Sequence, residues 1–176
     1  DEAVLYEFGA GWDLAVPLAY WSLGVERQLL VDIHANLRLE LVNGTLERLR
    51  HLAPELEHAA GRTVRMTEDV ASAADLETRL GIRYVAPRDA RDTGFETASV
   101  DLVTSTNTLE HIPADDLVPI LAECRRLLRP DGVLSSRIDL RDHYSYFDRG
   151  LSPYNFLRYS DRAWRLFNSR LLYQNR

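Results

Sequence analysis

Short apolar runs alternate with stretches of helical periodicity along this 176-residue chain, and few folds accommodate that alternation. The first run, Ala3 to Phe8, is interrupted only by Glu7 and ends in Gly9-Ala10-Gly11, the pattern of a buried strand entering a tight turn. A helix is expected next, capped by Asp13, tolerant of Pro17 in its first turn and ended by Gly24. Gln28 to Ile33 reads as a second strand that stops at Asp32. An amphipathic helix follows from about Asn36 to Leu52, with Leu39, Val42, Leu46 and Leu49 on one stripe. Two shorter helices are expected between Pro54 and Leu80, punctuated by Gly61 and Gly81. Ile82 to Ala86 and Val100 to Ser105 read as the third and fourth strands. A helix capped by Asp115 or Asp116 ends near Leu128. Arg129-Pro130-Asp131-Gly132 then signals a turn into a fifth strand, Val133 to Leu140, and the pattern is helical again from Ser152 to Leu172. Strands alternating with helices pair in parallel through right-handed crossovers, so the expected fold is α/β: an open, mostly parallel sheet with helices on both faces.

At this length, with 45% hydrophobic residues, one core is the natural outcome, and we read residues 1–176 as a single domain. A formal charge of −6 argues against a general nucleic-acid or anionic-membrane binder, because neither partner is drawn to a negative body. No apolar run approaches the roughly 20 residues a bilayer span needs, and the first residues lack the pattern of a signal peptide, so a cytoplasmic location is expected. Cys124, the lone cysteine, lies on the stripe Leu117, Ile120, Leu121, Cys124, Leu128 and reads as a buried core thiol.

In open sheets of this kind ligands bind beyond the carboxyl ends of the strands, where the winding direction reverses. Glycines at 9 and 11 let the backbone approach a ligand, and the following helix start offers N–H groups to an anionic moiety. Asp32, at the end of the second strand and 23 residues past Gly9, can accept both hydroxyl protons of a ribose. An adenosine ligand with an anionic or zwitterionic tail fits this pattern. A dinucleotide fits less well: Gly9-Ala10-Gly11-Trp12-Asp13-Leu14 has leucine where GxGxxG or GxGxxA needs a third small residue, and Asp13 would sit beside a pyrophosphate. Glu7, two residues before Gly9, instead suits the ammonium of a methionine moiety, directly or through water.

At these residues the chain resembles the class I, Rossmann-like S-adenosylmethionine-dependent methyltransferases, in particular their small-molecule branch. The resemblance runs from Val4 to about Asp139. It is carried by Leu5-Tyr6-Glu7-Phe8-Gly9-Ala10-Gly11, by Ser99-Val100-Asp101-Leu102-Val103 with Leu109-Glu110-His111-Ile112, and by Leu127-Leu128-Arg129-Pro130-Asp131-Gly132-Val133-Leu134. It departs at Asp13, where the family often has another glycine. The resemblance implies the strand order 3-2-1-4-5, S-adenosyl-L-methionine as cofactor, and methyl transfer to oxygen or nitrogen of a small-molecule acceptor. It also implies that Glu7, Gly9 and Gly11 surround the methionine end and that Asp32 binds the ribose. Ile33 would pack on the adenine, Asp89 and Ala90 would bind its edge, and Thr106 and Asn107 would line the sulfonium side. Family members usually continue past the fifth strand into a helix and a final antiparallel strand pair, which is not visible in this sequence.

Three residues stand out for the transfer itself. His143 can deprotonate an acceptor, and His111 is a second histidine near the fourth strand, more often structural in the resembled family. Asp139 with His143 offers two ligands for a divalent cation but no third, so no metal site is expected; the bland alternative is that both hydrogen-bond within a loop. The last 36 residues hold nine aromatics, Tyr173 among them, with seven arginines and three aspartates. Such a segment can pack as a helix with an oligomer face, or it can bind a planar or anionic acceptor. A non-catalytic methyltransferase-like module and an NAD-dependent oxidoreductase are the alternative functions.

Overall fold

The computed structural model describes residues 3–168 and 174–175. Its sheet consists of β1 (Val4–Phe8), β2 (Arg27–Val31), β3 (Ile82–Val85), β4 (Val100–Thr106) and β5 (Leu128–Arg137). The strands lie in the order β3-β2-β1-β4-β5, and every adjacent pair is parallel. Helix α1 (Ala15–Ser22) connects β1 to β2, α2 (Leu39–Ala60) and α3 (Ala73–Leu80) lie between β2 and β3, and α4 (Ala114–Leu127) returns the chain from β4 to β5. This is the Rossmann-like order expected above.

Alternation along the strands divides the core in two. Leu5 and Leu30 point to one face, where they pack with Leu14, Leu18, Val42 and Leu46 of the α1 and α2 region. Val4, Tyr6, Phe8 and Val31 point to the other, against Ile120, Cys124 and Leu127 of α4. All five residues of β1 are buried because it has a strand on each side and a helical layer on each face. Each buried leucine of this kind contributes about 1.5–3 kcal/mol by leaving water.

Several boundaries differ from the sequence reading. Helix α2 starts at Leu39 rather than Asn36, because Asn36 is held in the loop: its N–H donates to the Tyr84 hydroxyl at 3.1 Å and its side chain to Asp32 Oδ1 at 3.4 Å. The helix then runs through Pro54 to Ala60, so no separate helix begins there. The apolar stripe of Val42, Leu46 and Leu49 buries enough surface to carry the hydrogen bond that Pro54 cannot make. Leu14, in a left-handed conformation with φ 50°, starts α1, and Asp13 caps from one residue further out by accepting the Ala15 N–H at 3.2 Å. Pro113 rather than Asp115 or Asp116 precedes α4, and Asp116 is drawn to Arg91 at 2.7 Å.

The expected turn Arg129–Gly132 is an irregularity inside β5: Val100 pairs with Leu128 and Leu102 already with Val133. The last expected helix divides into a single turn, Asn155–Arg158, and α5 (Asp161–Phe167). Ser160 is extended between them and caps α5 by accepting the Ala163 N–H at 3.3 Å. Residues 169–172 and Tyr173 lie outside the described residues. Among the described residues no strand follows β5.

Helix α3 is the shortest of those flanking β3, and its start is well capped. Ser72 Oγ accepts the Asp75 N–H at 3.2 Å, and the Asp75 carboxylate accepts the Ala71 N–H at 2.7 Å. Ser72→Ala is therefore expected to cost about 1 kcal/mol. Thermal denaturation should register this as a fall in Tm of about 2–4 °C.

Candidate functional site

The chain leaves β1 at Phe8, crosses to β2 and β3 on one side, and returns to β4 on the other, so the winding reverses between β1 and β4. A cavity of about 510 Å³ opens there, beyond the carboxyl ends of the strands. Gly9 forms its floor with φ +70°, and its N–H donates to Val31 O at 2.9 Å. A Cβ at Gly9 would lie 2.4 Å from Thr108 Cγ2, so only glycine lets the loop after β1 pass this close to the loop after β4.

Asp32 stands at the end of β2 and is 6% exposed. Its Oδ2 accepts the Gly11 N–H at 3.3 Å and its Oδ1 the His34 N–H at 3.2 Å. These bonds hold the carboxylate at the cavity wall and tie it to the glycine turn. Ile33 beside it is 57% exposed, an apolar side chain left at the cavity edge. Asp89 and Ala90, from the loop after β3, and Asn107, just after β4, also line it.

The structure thus brings Gly9, Asp32, Ile33, Asp89, Ala90, Asn107 and His111 to one cavity. Glu7, Gly11 and Thr106 do not contribute to its wall, nor do Asp139 and His143. Glu7 is buried one residue behind Phe8 and accepts the Thr104 hydroxyl at 2.8 Å. Burial pushes its carboxyl up to about 7, since the charged form has lost water and gained chiefly this one bond.

Sequence reasoning missed Arg91, which grips Asp89 through Nε and Nη2 and reaches Asp116 through Nη1. Its guanidinium holds the Asp89 carboxyl below the usual carboxylate range. Asp89 and Arg91 are two residues apart in the loop after β3, but the third member, Asp116, comes from α4, which spacing along the chain does not reveal. Trp12, half exposed at the cavity rim with Arg38 stacked 4.6 Å from its ring, was legible as an aromatic residue next to the glycine turn but was not singled out.

Beyond β4 and β5 lies a second group of side chains. The rings of His111 and His143 are 4.8 Å apart, and Tyr146 lies 5.5 Å from His143. Asp139 Oδ2 is 3.8 Å from His143 Nε2. Asp139 is engaged by Arg141 at 3.1 Å and by the Tyr146 hydroxyl, which hold its carboxyl well below the ordinary range. Glu110, 2% exposed, accepts the Asp139 N–H at 3.2 Å. Gln174 and Asn175 clasp this region from the far end of the chain: Gln174 accepts the His143 N–H at 3.1 Å, and Asn175 donates to Leu109 O at 3.0 Å.

The C-terminal aromatics divide between two roles. Phe156 and Trp164 are buried, with Trp164 Nε1 donating to Gln174 O at 3.3 Å, whereas Tyr146, Phe147 and Tyr154 are exposed. A larger hollow, about 760 Å³, opens at the start of β5 beside Arg125, Arg126 and Arg129. It lies away from the strand ends and gathers neither Asp32 nor the histidines. Among the described residues no helix is long and apolar enough to cross a membrane.

Residues 20–136 match the family model described as "Methyltransferase domain". No curated protein matches the chain. Similar solved structures include a protein from Pyrococcus horikoshii OT3, at 17% identity and a TM-score of 0.47 over 77% of this chain and 49% of that one. A second is phosphoethanolamine N-methyltransferase 1 of Haemonchus contortus with phosphoethanolamine and S-adenosylhomocysteine, at 19% identity and 0.49 over 80% of this chain and 23% of that one. A third is a SAM-dependent methyltransferase from Archaeoglobus fulgidus, at 14% identity and 0.45 over 89% and 57%. The chain spans about half the length of the first of these, 49%.

Proposed function

The chain belongs to the methyltransferase domain family, and from that premise we propose that it transfers the methyl group of S-adenosylmethionine to oxygen or nitrogen of a small-molecule acceptor. The observation that carries this reading is the cavity at the winding reversal, with Gly9 beneath it and the Asp32 carboxylate fixed at its wall. Residues 1–176 act in this reading as one cofactor-binding domain.

The residues present fit that cofactor. A half-exposed Ile33 offers an apolar surface to adenine, Asp32 keeps an anionic acceptor pair beside it for a ribose, and the turn of Gly9 and Gly11 leaves backbone open toward the methionine end. A Cβ at Gly11 would meet nothing within 4 Å, so space remains on that side. Glu7 lies behind the turn, and a ligand ammonium would favour its ionised form. Asp89 is already committed to Arg91, so in this chain Ala90 takes the main role at the adenine edge.

When bound, the group supplies an electrophilic sulfonium methyl. The protein's part is alignment of the acceptor and removal of its proton. His111 is the imidazole at the cavity wall, and His143 stands against it from the segment after β5. We assign proton exchange to this histidine pair, imidazole being the side chain suited to it near neutral pH. Asp139, held ionised by Arg141 and Tyr146, positions His143 rather than accepting the proton.

Calorimetry with S-adenosylmethionine, S-adenosylhomocysteine and NAD tests the reading. Binding of the first two and not of NAD is expected. NAD binding without either of them would replace it with an oxidoreductase, and cofactor binding without turnover across a panel of acceptors would leave a non-catalytic module.

A further inference from the structure

We propose that Glu110, His111 and His143 form a binding site for a divalent transition-metal ion at the acceptor end of the cavity. A carboxylate oxygen and two imidazole nitrogens from these residues lie within 4.8 Å of one another. Two histidines and one carboxylate are a ligand set suited to zinc and its neighbours in the first transition row. Asp139 and His143 alone are two residues in search of a third ligand. The fold instead sets His143 against Glu110 and His111, which follow β4 and turn toward the segment after β5, so that these three make the ligand set and Asp139 stands beside it.

The second observation is the state of Glu110. Its side chain is 2% exposed, and while one carboxylate oxygen accepts the Asp139 N–H, the other, Oε2, is buried without a hydrogen-bond partner. A buried carboxylate oxygen left bare is costly, and a cation placed between it and the two imidazoles removes the cost. Bonds of about 2.0–2.2 Å to three ligands need donor atoms closer than 4.8 Å. Binding therefore requires the His111 and His143 rings to draw closer to Glu110 when the ion enters.

The surroundings belong to a held site rather than a chance meeting of side chains. The His143 N–H is fixed by Gln174 Oε1 at 3.1 Å, and Asp139 Oδ2 lies 3.8 Å from His143 Nε2. An acidic neighbour and a tethered backbone are what orient a ligating imidazole. Three protein ligands with one of them exposed leave at least one position open, which distinguishes a working metal from a structural one. Because His111 also lines the cavity, the site adjoins the space assigned to the acceptor. A hydroxyl or carboxylate oxygen of the acceptor would complete the sphere, and with the ion bound the two imidazoles act as ligands and no longer as proton acceptors, the ion instead acidifying a bound hydroxyl; this second role rests on the methyl-transfer reading, whereas the metal site does not.

Titration of the metal-free protein with Co²⁺, followed by visible absorption and calorimetry, tests the site. About one ion per chain is expected, with the d–d bands of a low-coordinate nitrogen and oxygen site. His143→Ala and His111→Ala should each weaken binding by about 100-fold or more while leaving the circular dichroism spectrum unchanged. Glu110→Gln should do the same if it folds, and the histidine variants carry the test if it does not. His51→Ala, exposed on α2, should bind as the parent does. No saturable cobalt spectrum, or one indifferent to both histidine substitutions, overturns the proposal. S-adenosylmethionine binding measured on the same metal-free sample separates the two readings: cofactor binding without cobalt binding sinks only the metal site, and the reverse sinks only the methyltransferase reading.

Discussion

Asp32→Ala is expected to weaken S-adenosylmethionine binding by about 100-fold or more, since two hydrogen bonds to a charged acceptor are worth ~1.5–3 kcal/mol each. The side chain does two jobs at once. It presents a carboxylate at the cavity wall, and it holds the Gly11 and His34 N–H groups at 3.3 and 3.2 Å, so its loss also loosens the turn on which the methionine end would rest. Asp32→Asn keeps one carbonyl acceptor and most of the shape, and should fall between the two. Calorimetry on samples whose thermal unfolding shows them folded checks the result. Parent-like affinity in folded Asp32→Ala would remove ribose recognition from this residue and leave the cavity without its principal polar anchor.

Glu7→Gln should have the opposite effect on stability. The unfolded carboxyl titrates near 4.5, whereas burial raises it to about 7 in the folded chain. Between those values the folded state binds more protons than the unfolded one, so stability falls as pH rises. The contribution is present in full below about 4.5 and lost as pH passes about 7. A glutamine cannot ionise, so the variant should be more stable than the parent at pH 8 by up to about 3 kcal/mol, with the difference vanishing toward pH 4. Urea denaturation of both proteins across this range isolates the Glu7 contribution from that of every other titrating group. A constant difference would show that Glu7 ionises in the folded chain as freely as in the unfolded one. Cofactor affinity should fall in the same variant, because the ligand ammonium loses its counter-charge. A residue whose removal stabilises the protein and weakens its ligand is kept for binding.

Much of this was readable along the chain. The order of strands and helices followed from apolar periodicity, because burial on one face or two leaves a local imprint. Asp32 and Gly9 were singled out by their position just after strands, where a parallel sheet places its ligands, and both line the cavity there. Boundaries were less legible. Asn36 has the composition of a helix start, yet it is captured by Tyr84 and Asp32, whose approach depends on how β2 and β3 pair. Pro54 reads as a break, yet the packed stripe of α2 outweighs it.

Local pattern was therefore enough for the α/β class and for the strand ends at which to look, since both depend on residues a few positions apart. Meetings between distant segments were decided by packing. Arg91 ties Asp89 to α4 only because packing brings Asp116 beside it, and Glu7 is costly only because β4 and β2 close over it. Asp139 and His143, four residues apart, lacked a third ligand on paper. The structure instead groups His143 with Glu110 and His111, some thirty positions earlier, because β4 and β5 run parallel and end side by side, and leaves Asp139 beside the cluster.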